Sequence, residues 1–220
     1  MTMSPARVAG ISAIALIFLG PFSLLYVPEQ TLVVGDLSAT AALQIAEAGL
    51  VRLGVVGELG IVAVEVVMSV ALWAMFARAQ PQGAALIGAS RLAMTLGQAG
   101  VAALSLGALL SFEQGLVEAG GGLLAVKDAG ALVWKALFGL HCGALAAVMM
   151  RDRSIPRIFS GLMGITALAY VLLSVGSVVA PEQQAVWSSA PVTLALMGEL
   201  PFFLWLLAGR YHHHTALAAT

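Results

Sequence analysis

Seven polar side chains stand where the sequence is otherwise apolar. "VVGELGIVAV" (55–64) carries Glu58, and "LMGELPFFLW" (196–205) carries Glu199 between a glycine and a proline. Glu65, Arg91, Gln98, His141 and Tyr170 are set in runs of the same kind. An ionisable group in hydrocarbon costs about 2.5–3.5 kcal/mol on insertion scales, so it faces the helix bundle, takes a partner and marks a site. A carboxylate there binds a cation or exchanges a proton, an imidazole accepts and donates protons, and an arginine holds an anion or a carboxylate. Glu199 has a further feature. Pro201, two residues on, leaves a nearby carbonyl without its helical partner, and helices broken in this way line polar sites in membranes.

The elements that must position these groups follow from composition. The chain has 220 residues, 60% hydrophobic and 10% charged, with a mean hydropathy of +0.99. A soluble domain carries about 25% charged residues, so lipid must be the solvent for much of this chain. The net charge of −1 excludes a nucleic-acid footprint. Cys142, the single cysteine, excludes an intramolecular disulfide and reads as a small packed thiol. The first apolar segment runs into "GPFSLLYVPEQ" with no small-residue cleavage pattern, which predicts a retained helix and not a signal peptide.

A spanning helix needs about 20 mostly apolar residues. Six runs qualify, approximately 8–27, 53–77, 84–111, 131–150, 158–180 and 190–208. The fold expected is all-α, one polytopic bundle of six transmembrane helices with no separate soluble domain. One side receives Arg7, Arg78, Arg151, Arg153, Arg157 and Arg210 against Asp152 alone. The other receives Glu29, Asp36, Glu47, Glu113, Glu118, Asp128 and Glu182 against Arg52 and Lys127. The positive-inside rule then puts both termini in the cytoplasm and the longer loops, 28–52 and 112–130, outside. Within those loops, "ATAALQIAEAGLVR" (39–52) predicts a short interfacial helix and "EAGGG" (118–122) a flexible break.

At about 1.5 Å per residue the polar groups fall in one layer. From the outer surface Glu58 lies about 8 Å down, Gln98 about 12 Å, His141 and Glu199 about 15 Å, Glu65 about 18 Å and Arg91 about 22 Å. Tyr170 is near mid-depth. Glu65 and Arg91, on neighbouring helices at similar depth, are expected to pair. Each group also has a plainer reading. Glu58 is near enough to the surface to be hydrated, and Gln98 and His141 are the kind of side chain that hydrogen-bonds one helix to the next. No metal site is expected, because His141 has no second histidine at ligand spacing and "HHH" (212–214) belongs to a polar tail. No cofactor motif is present, and Ser105, Ser174 and Ser177 lack the context of a nucleophile.

Two sequence pairs suggest a parallel repeat of hairpin 1–2 and hairpin 5–6: "YVPEQ" then "VGELG" in the first, "VAPEQ" then "MGELP" in the second. A family resemblance covers more of the chain. "LVRLGVVGELGIVAVEVVMSVALWAMF", "RLAMTLGQAGVAAL", "LFGLHCGALAAVMMRDRSIPRIFSGLMGITALAYV" and "MGELPFFLWLLAGR" together resemble the bacterial membrane family called domain of unknown function 4386, over about 7–210. The segment from His141 to Arg157 is its most specific part. The resemblance implies a six-helix protein of the bacterial cytoplasmic membrane, with recurring polar residues at the positions of Glu58, Arg91, His141 and Glu199. It implies no activity.

Three functions fit these residues. The first is a membrane protein with a polar site for a small solute, a proton or a lipid-derived ligand, used in transport or sensing. The second is an intramembrane enzyme on a lipidic substrate, with His141 and Glu199 as acid and base. The third is a structural or partner-binding subunit whose polar layer only locks the helices. The lipid bilayer is the one partner common to all three.

Overall fold

The computed structural model describes residues 3–187, 189, 193, 195 and 197–211, and these form helices joined by turns, with no strand among them. Helix α1 (Pro5–Pro21) continues through one π-helical turn (Phe22–Tyr26) into α2 (Val27–Thr31). There follow α3 (Leu37–Ala46), α4 (Ala48–Phe76), α5 (Pro81–Glu113), α6 (Val117–Arg151) and α7 (Arg157–Val179). A 3-10 turn (Pro181–Gln183), α8 (Gln184–Trp187) and α9 (Leu200–Leu207) complete the described chain.

Five stretches are long and apolar enough to cross a membrane: Pro5–Thr31, Ala48–Phe76, Pro81–Glu113, Val117–Arg151 and Arg157–Val179. Their exposed side chains include Phe18, Val70, Leu96, Leu140 and Leu168, while Glu58, Glu65, Arg91, Gln98 and His141 are buried. Apolar outside and polar inside is the distribution that a lipid solvent selects. The chain is a multi-pass integral membrane protein. The sixth expected span, 190–208, lies partly outside the described residues, as do the second member of the repeat in part and the whole "HHH" tail. The described part of that span holds α9.

The structure corrects one expected loop. Residues 112–130 do not form an irregular outer loop. A turn at 114–116, with Gly115 at φ 76°, is closed by Leu116 N–H donating to the Ser111 carbonyl at 2.9 Å. Helix α6 then starts at Val117 and includes "EAGGG". Two of its three glycines serve close packing. A Cβ at Gly120 would strike the Phe112 ring, and one at Gly121 would lie 2.6 Å from Leu37. They let α3 and α5 settle on α6 around the core of Ala41, Ala108 and Phe112. The neighbouring expectation, a short helix over 39–52, is met in part: α3 ends at Ala46 and residues from Ala48 on already belong to α4.

The chain divides into two compact units, one of Met1–Ala13, Val67–Leu92 and Lys135–Thr220, the other of Ile14–Val66 and Ala93–Trp134. In the second unit the α1–α2 strip lies directly on α4. Gly54, Gly57 and Gly60 of α4 face Val27, Ser23 and Leu19, and a Cβ at Gly57 would collide with Ser23 Oγ. Small residues at such contacts let membrane helices approach closely. The π turn has a local cause. Pro21 and Pro28 cannot donate to the carbonyls one turn back, and between them Val27 N–H bonds the Phe22 carbonyl in a wider ring. Arg52 Nη2 pairs with Glu113 Oε1 at 2.6 Å and joins the ends of α4 and α5.

In the first unit α5 meets the end of α6, where Gln80 Nε2 donates to the Val148 carbonyl at 3.0 Å. Helix α7 is held by Ser160 Oγ donating to the Ala146 carbonyl at 2.8 Å. The start of α1 touches α9: a Cβ at Gly10 would come within 2.8 Å of Leu207 N and 2.9 Å of its Cα. Backbone cannot step aside as a side chain can. Gly10→Ala is therefore expected to destabilise the detergent-purified protein by about 1–3 kcal/mol. Gly20→Ala, in the same helix with nothing within 4 Å, should leave its melting temperature unchanged or raised. Equal melting of the two variants would refute the contact.

Candidate functional site

The second unit holds a buried carboxylate with a small pocket beside it. Glu58 is 2% exposed, so hydration from the membrane surface does not explain it. Ser105 Oγ lies 3.2 Å from Glu58 Oε1 and 3.4 Å from Oε2. The same hydroxyl is 3.2 Å from the Val101 carbonyl. Lys127 Nζ lies 3.9 Å from Glu58 Oε1, at the outer limit of an ion pair. The lysine reaches it from α6, the stretch that was expected to be loop. The pocket has a volume of about 20 Å³, and Ser23, Gln44, Glu58, Ser105 and Lys127 supply its polar wall. Ser23 Oγ and Gln44 Oε1 are buried with no hydrogen-bond partner among the described residues. A cavity of this size has room for about one water, and the wall offers the two or more polar partners that a water needs.

One proton decides what Ser105 does. Its hydroxyl hydrogen goes either to Glu58 or to the Val101 carbonyl, not to both. When Glu58 is ionised, Ser105 donates to the carboxylate. When Glu58 is protonated, the carboxyl donates to Ser105 Oγ and the serine turns its hydrogen to Val101. Both protonation states are therefore hydrogen-bonded without moving the backbone.

The first unit holds a different arrangement. Arg91 and His141 are each 1% exposed, and Arg91 Nη1 lies 2.9 Å from His141 Nε2. A guanidinium only donates, so Nε2 accepts and the ring hydrogen is on Nδ1. Nδ1 lies 3.2 Å from the Ile87 carbonyl, to which it donates. Ser90 Oγ, which donates to the same carbonyl at 3.1 Å, lies 3.3 Å from Nδ1. Both ring nitrogens are thus engaged. Arg91 Cζ stands 5.9 Å over the Phe138 ring, and Tyr170 packs edge-on to that ring at 4.7 Å. Gly139 makes room for this: a Cβ there would lie 3.0 Å from the Ala167 carbonyl and 3.1 Å from Tyr170 Cβ.

Glu199 is half-buried and stands just before α9, without a side-chain capping bond to that helix. The glycine before it is tightly placed, since a Cβ at Gly198 would meet Thr166 Oγ1 at 2.5 Å and the Leu162 carbonyl at 2.9 Å. Both glycines of the two Gly-Glu-Leu triplets are thus contact points with another helix, Gly57 with the π turn after α1 and Gly198 with α7. Glu65 and Gln98 are buried in the second unit, and Gln98 Nε2 has no hydrogen-bond partner among the described residues. No cluster of three or more metal-ligating side chains occurs among the described residues.

A family model described as domain of unknown function (DUF4386) matches residues 8–209. The chain belongs to the DUF4386 family. No curated protein and no solved structure matches it.

In this DUF4386 protein the structure brings Arg91, His141 and Tyr170 into one cluster through Phe138. It gives Glu58 a set of neighbours that sequence reasoning missed: Ser105, Lys127, Ser23 and Gln44. One signal for Lys127 was available. A carboxylate in an apolar helix calls for a cation, and Lys127 follows a run of three glycines in a stretch of otherwise helical composition. For Ser23 the signal was the pair Pro21 and Pro28, spaced to disturb one helical turn.

Proposed function

We propose that this membrane protein binds and releases a proton at Glu58, as the working step of transport or sensing. The observation that carries this is Ser105 Oγ, placed between the Glu58 carboxylate and the Val101 carbonyl so that either protonation state is satisfied. The water-sized pocket supports a proton or a water as occupant over a larger solute, because about 20 Å³ leaves no space for one. Ser23 and Gln44 extend the polar wall towards α1 and α3, a route for exchange along side chains and water. The arginine-rich ends of the helices support a cytoplasmic placement of both termini in a bacterial inner membrane. The shared role of the two Gly-Glu-Leu glycines supports the repeat, with Glu199 as the counterpart of Glu58.

The enzymatic reading with His141 and Glu199 as acid and base has less support. A histidine whose Nε2 faces a guanidinium and whose Nδ1 donates to a carbonyl has no nitrogen turned towards a substrate. A purely structural role for the polar layer is the remaining competitor, and Glu58 decides between them. The test is the infrared difference spectrum of the protein in lipid vesicles, taken across a pH titration. Wild type should show a protonated-carboxyl stretch that grows as pH falls. Glu58→Gln should lose that band while melting close to wild type, because the amide keeps the shape and the hydrogen-bonding capacity. A band that survives in Glu58→Gln, or a variant that unfolds early, would sink the proton reading.

A further inference from the structure

At the end of the first unit where α4 turns into α5 and α6 turns into α7, the two turns line one pocket of about 530 Å³. Its walls are Gln80, Pro81, Gln82 and Gly83 on one side and Arg151, Asp152, Arg153 and Ser154 on the other. Arg151 and Arg153 are exposed and have no ion-pair partner among the described residues. Asp152 is the one acid in the wall, and both its oxygens are occupied. Oδ1 accepts from Ser154 N at 2.9 Å and Ser154 Oγ at 2.6 Å, and Oδ2 accepts from Tyr211 Oη at 3.0 Å. Burial first, and then the neighbouring Asp152 charge, hold the Tyr211 hydroxyl well above its ordinary pKa, so it remains a donor. Two arginines against one engaged aspartate leave the wall with a net positive charge.

Two more features define what would sit there. Gln82 and Gly83, in the first turn of α5, line this pocket, and a 33-residue helix presents partial positive charge at that end. Gln80, whose Nε2 donates to the Val148 carbonyl, fixes the turn that forms one wall. The pocket also lies at the very ends of three spans, Ala48–Phe76, Pro81–Glu113 and Val117–Arg151, which is the level of lipid headgroups. We propose that this pocket binds the headgroup of an anionic phospholipid, with the phosphate between Arg151, Arg153 and the α5 N-terminus. Basic pockets between membrane helices recognise anionic headgroups by this chemistry. A soluble phosphate shares the anion but lacks the acyl chains that hold a lipid at this level.

The test uses the full chain purified in neutral detergent. It is titrated with short-chain phosphatidylglycerol, with phosphatidylcholine of the same chain length, or with sodium phosphate, and the bound molecules are counted by native mass spectrometry. Phosphatidylglycerol should bind about tenfold more tightly than phosphatidylcholine, and Arg151→Gln/Arg153→Gln should lose about tenfold, a modest share of what two arginines contribute at an anionic surface. Arg7→Gln/Arg210→Gln removes the same charge from exposed arginines outside the pocket and should leave binding within about twofold of wild type. All three proteins should melt alike without lipid. Equal binding of the two lipids, an equal loss in the control variant, or binding of phosphate with no preference for phosphatidylglycerol would each overturn the assignment.

Discussion

His141→Leu should lower the melting temperature of the purified protein by about 10 °C, and His141→Gln should restore most of that loss. Leucine fills the space of the ring but offers nothing to Arg91 Nη1, which now donates to His141 Nε2 at 2.9 Å. A hydrogen bond to a charged group is worth about 1.5–3 kcal/mol, and a buried charged donor deprived of its acceptor costs more than a neutral one. The Ile87 carbonyl and the Ser90 hydroxyl, both within 3.3 Å of Nδ1, lose a partner as well. Together these make a loss of about 3 kcal/mol. Glutamine carries an acceptor for Arg91 and an N–H for Ile87 on one side chain, so it can replace both contacts. Thermal melts of the three proteins in one detergent decide the matter. If leucine melts like wild type, the imidazole does not hold the helices together and its burial needs another explanation.

That cluster also shows how far composition and spacing could reach. Arg91 and His141 were placed in the same polar layer by counting residues from the span ends, and the structure does bring them within hydrogen-bond distance. Counting works here because a helix rises steadily and a long arginine side chain absorbs an error of a turn. It failed for Glu58. The carboxylate was visible in "VVGELG", but its neighbours lie on the π turn after α1 and on α3, α5 and α6, and no spacing along one helix encodes a meeting of four. Lys127 was lost for a second reason. "EAGGG" has the composition of a flexible link, and only the contacts with Phe112 and Leu37 show that Gly120 and Gly121 are there to admit neighbouring helices. The same ambiguity affected both Gly-Glu-Leu triplets. A glycine beside a carboxylate is as compatible with loosened backbone as with close packing, and at Gly57 and Gly198 it marks a close approach to another helix. Packing needs and flexibility needs select the same residue, and the sequence does not distinguish them.

Lys127→Met should destabilise the protein by about 2–3 kcal/mol, and adding Glu58→Gln should return most of that stability. Removing the lysine leaves a carboxylate that is 2% exposed with Ser105 as its remaining hydrogen-bond partner among the described residues. Breaking a buried ion pair by deleting one member commonly costs about 3–5 kcal/mol. The value here is set lower because the Nζ–Oε1 separation is 3.9 Å and the lysine side chain keeps 18% exposure. The double variant removes the uncompensated charge and should recover, since a neutral amide can still accept from Ser105. The cycle also bears on the proposed proton site: the infrared carboxyl band assigned to Glu58 should be present in Lys127→Met and should vanish in the double variant. Melting curves and the pH-dependent spectra can be taken on the same four proteins. Strictly additive melting losses would show that the two side chains do not interact. A carboxyl band that survives in the double variant would show that the titrating group is not Glu58.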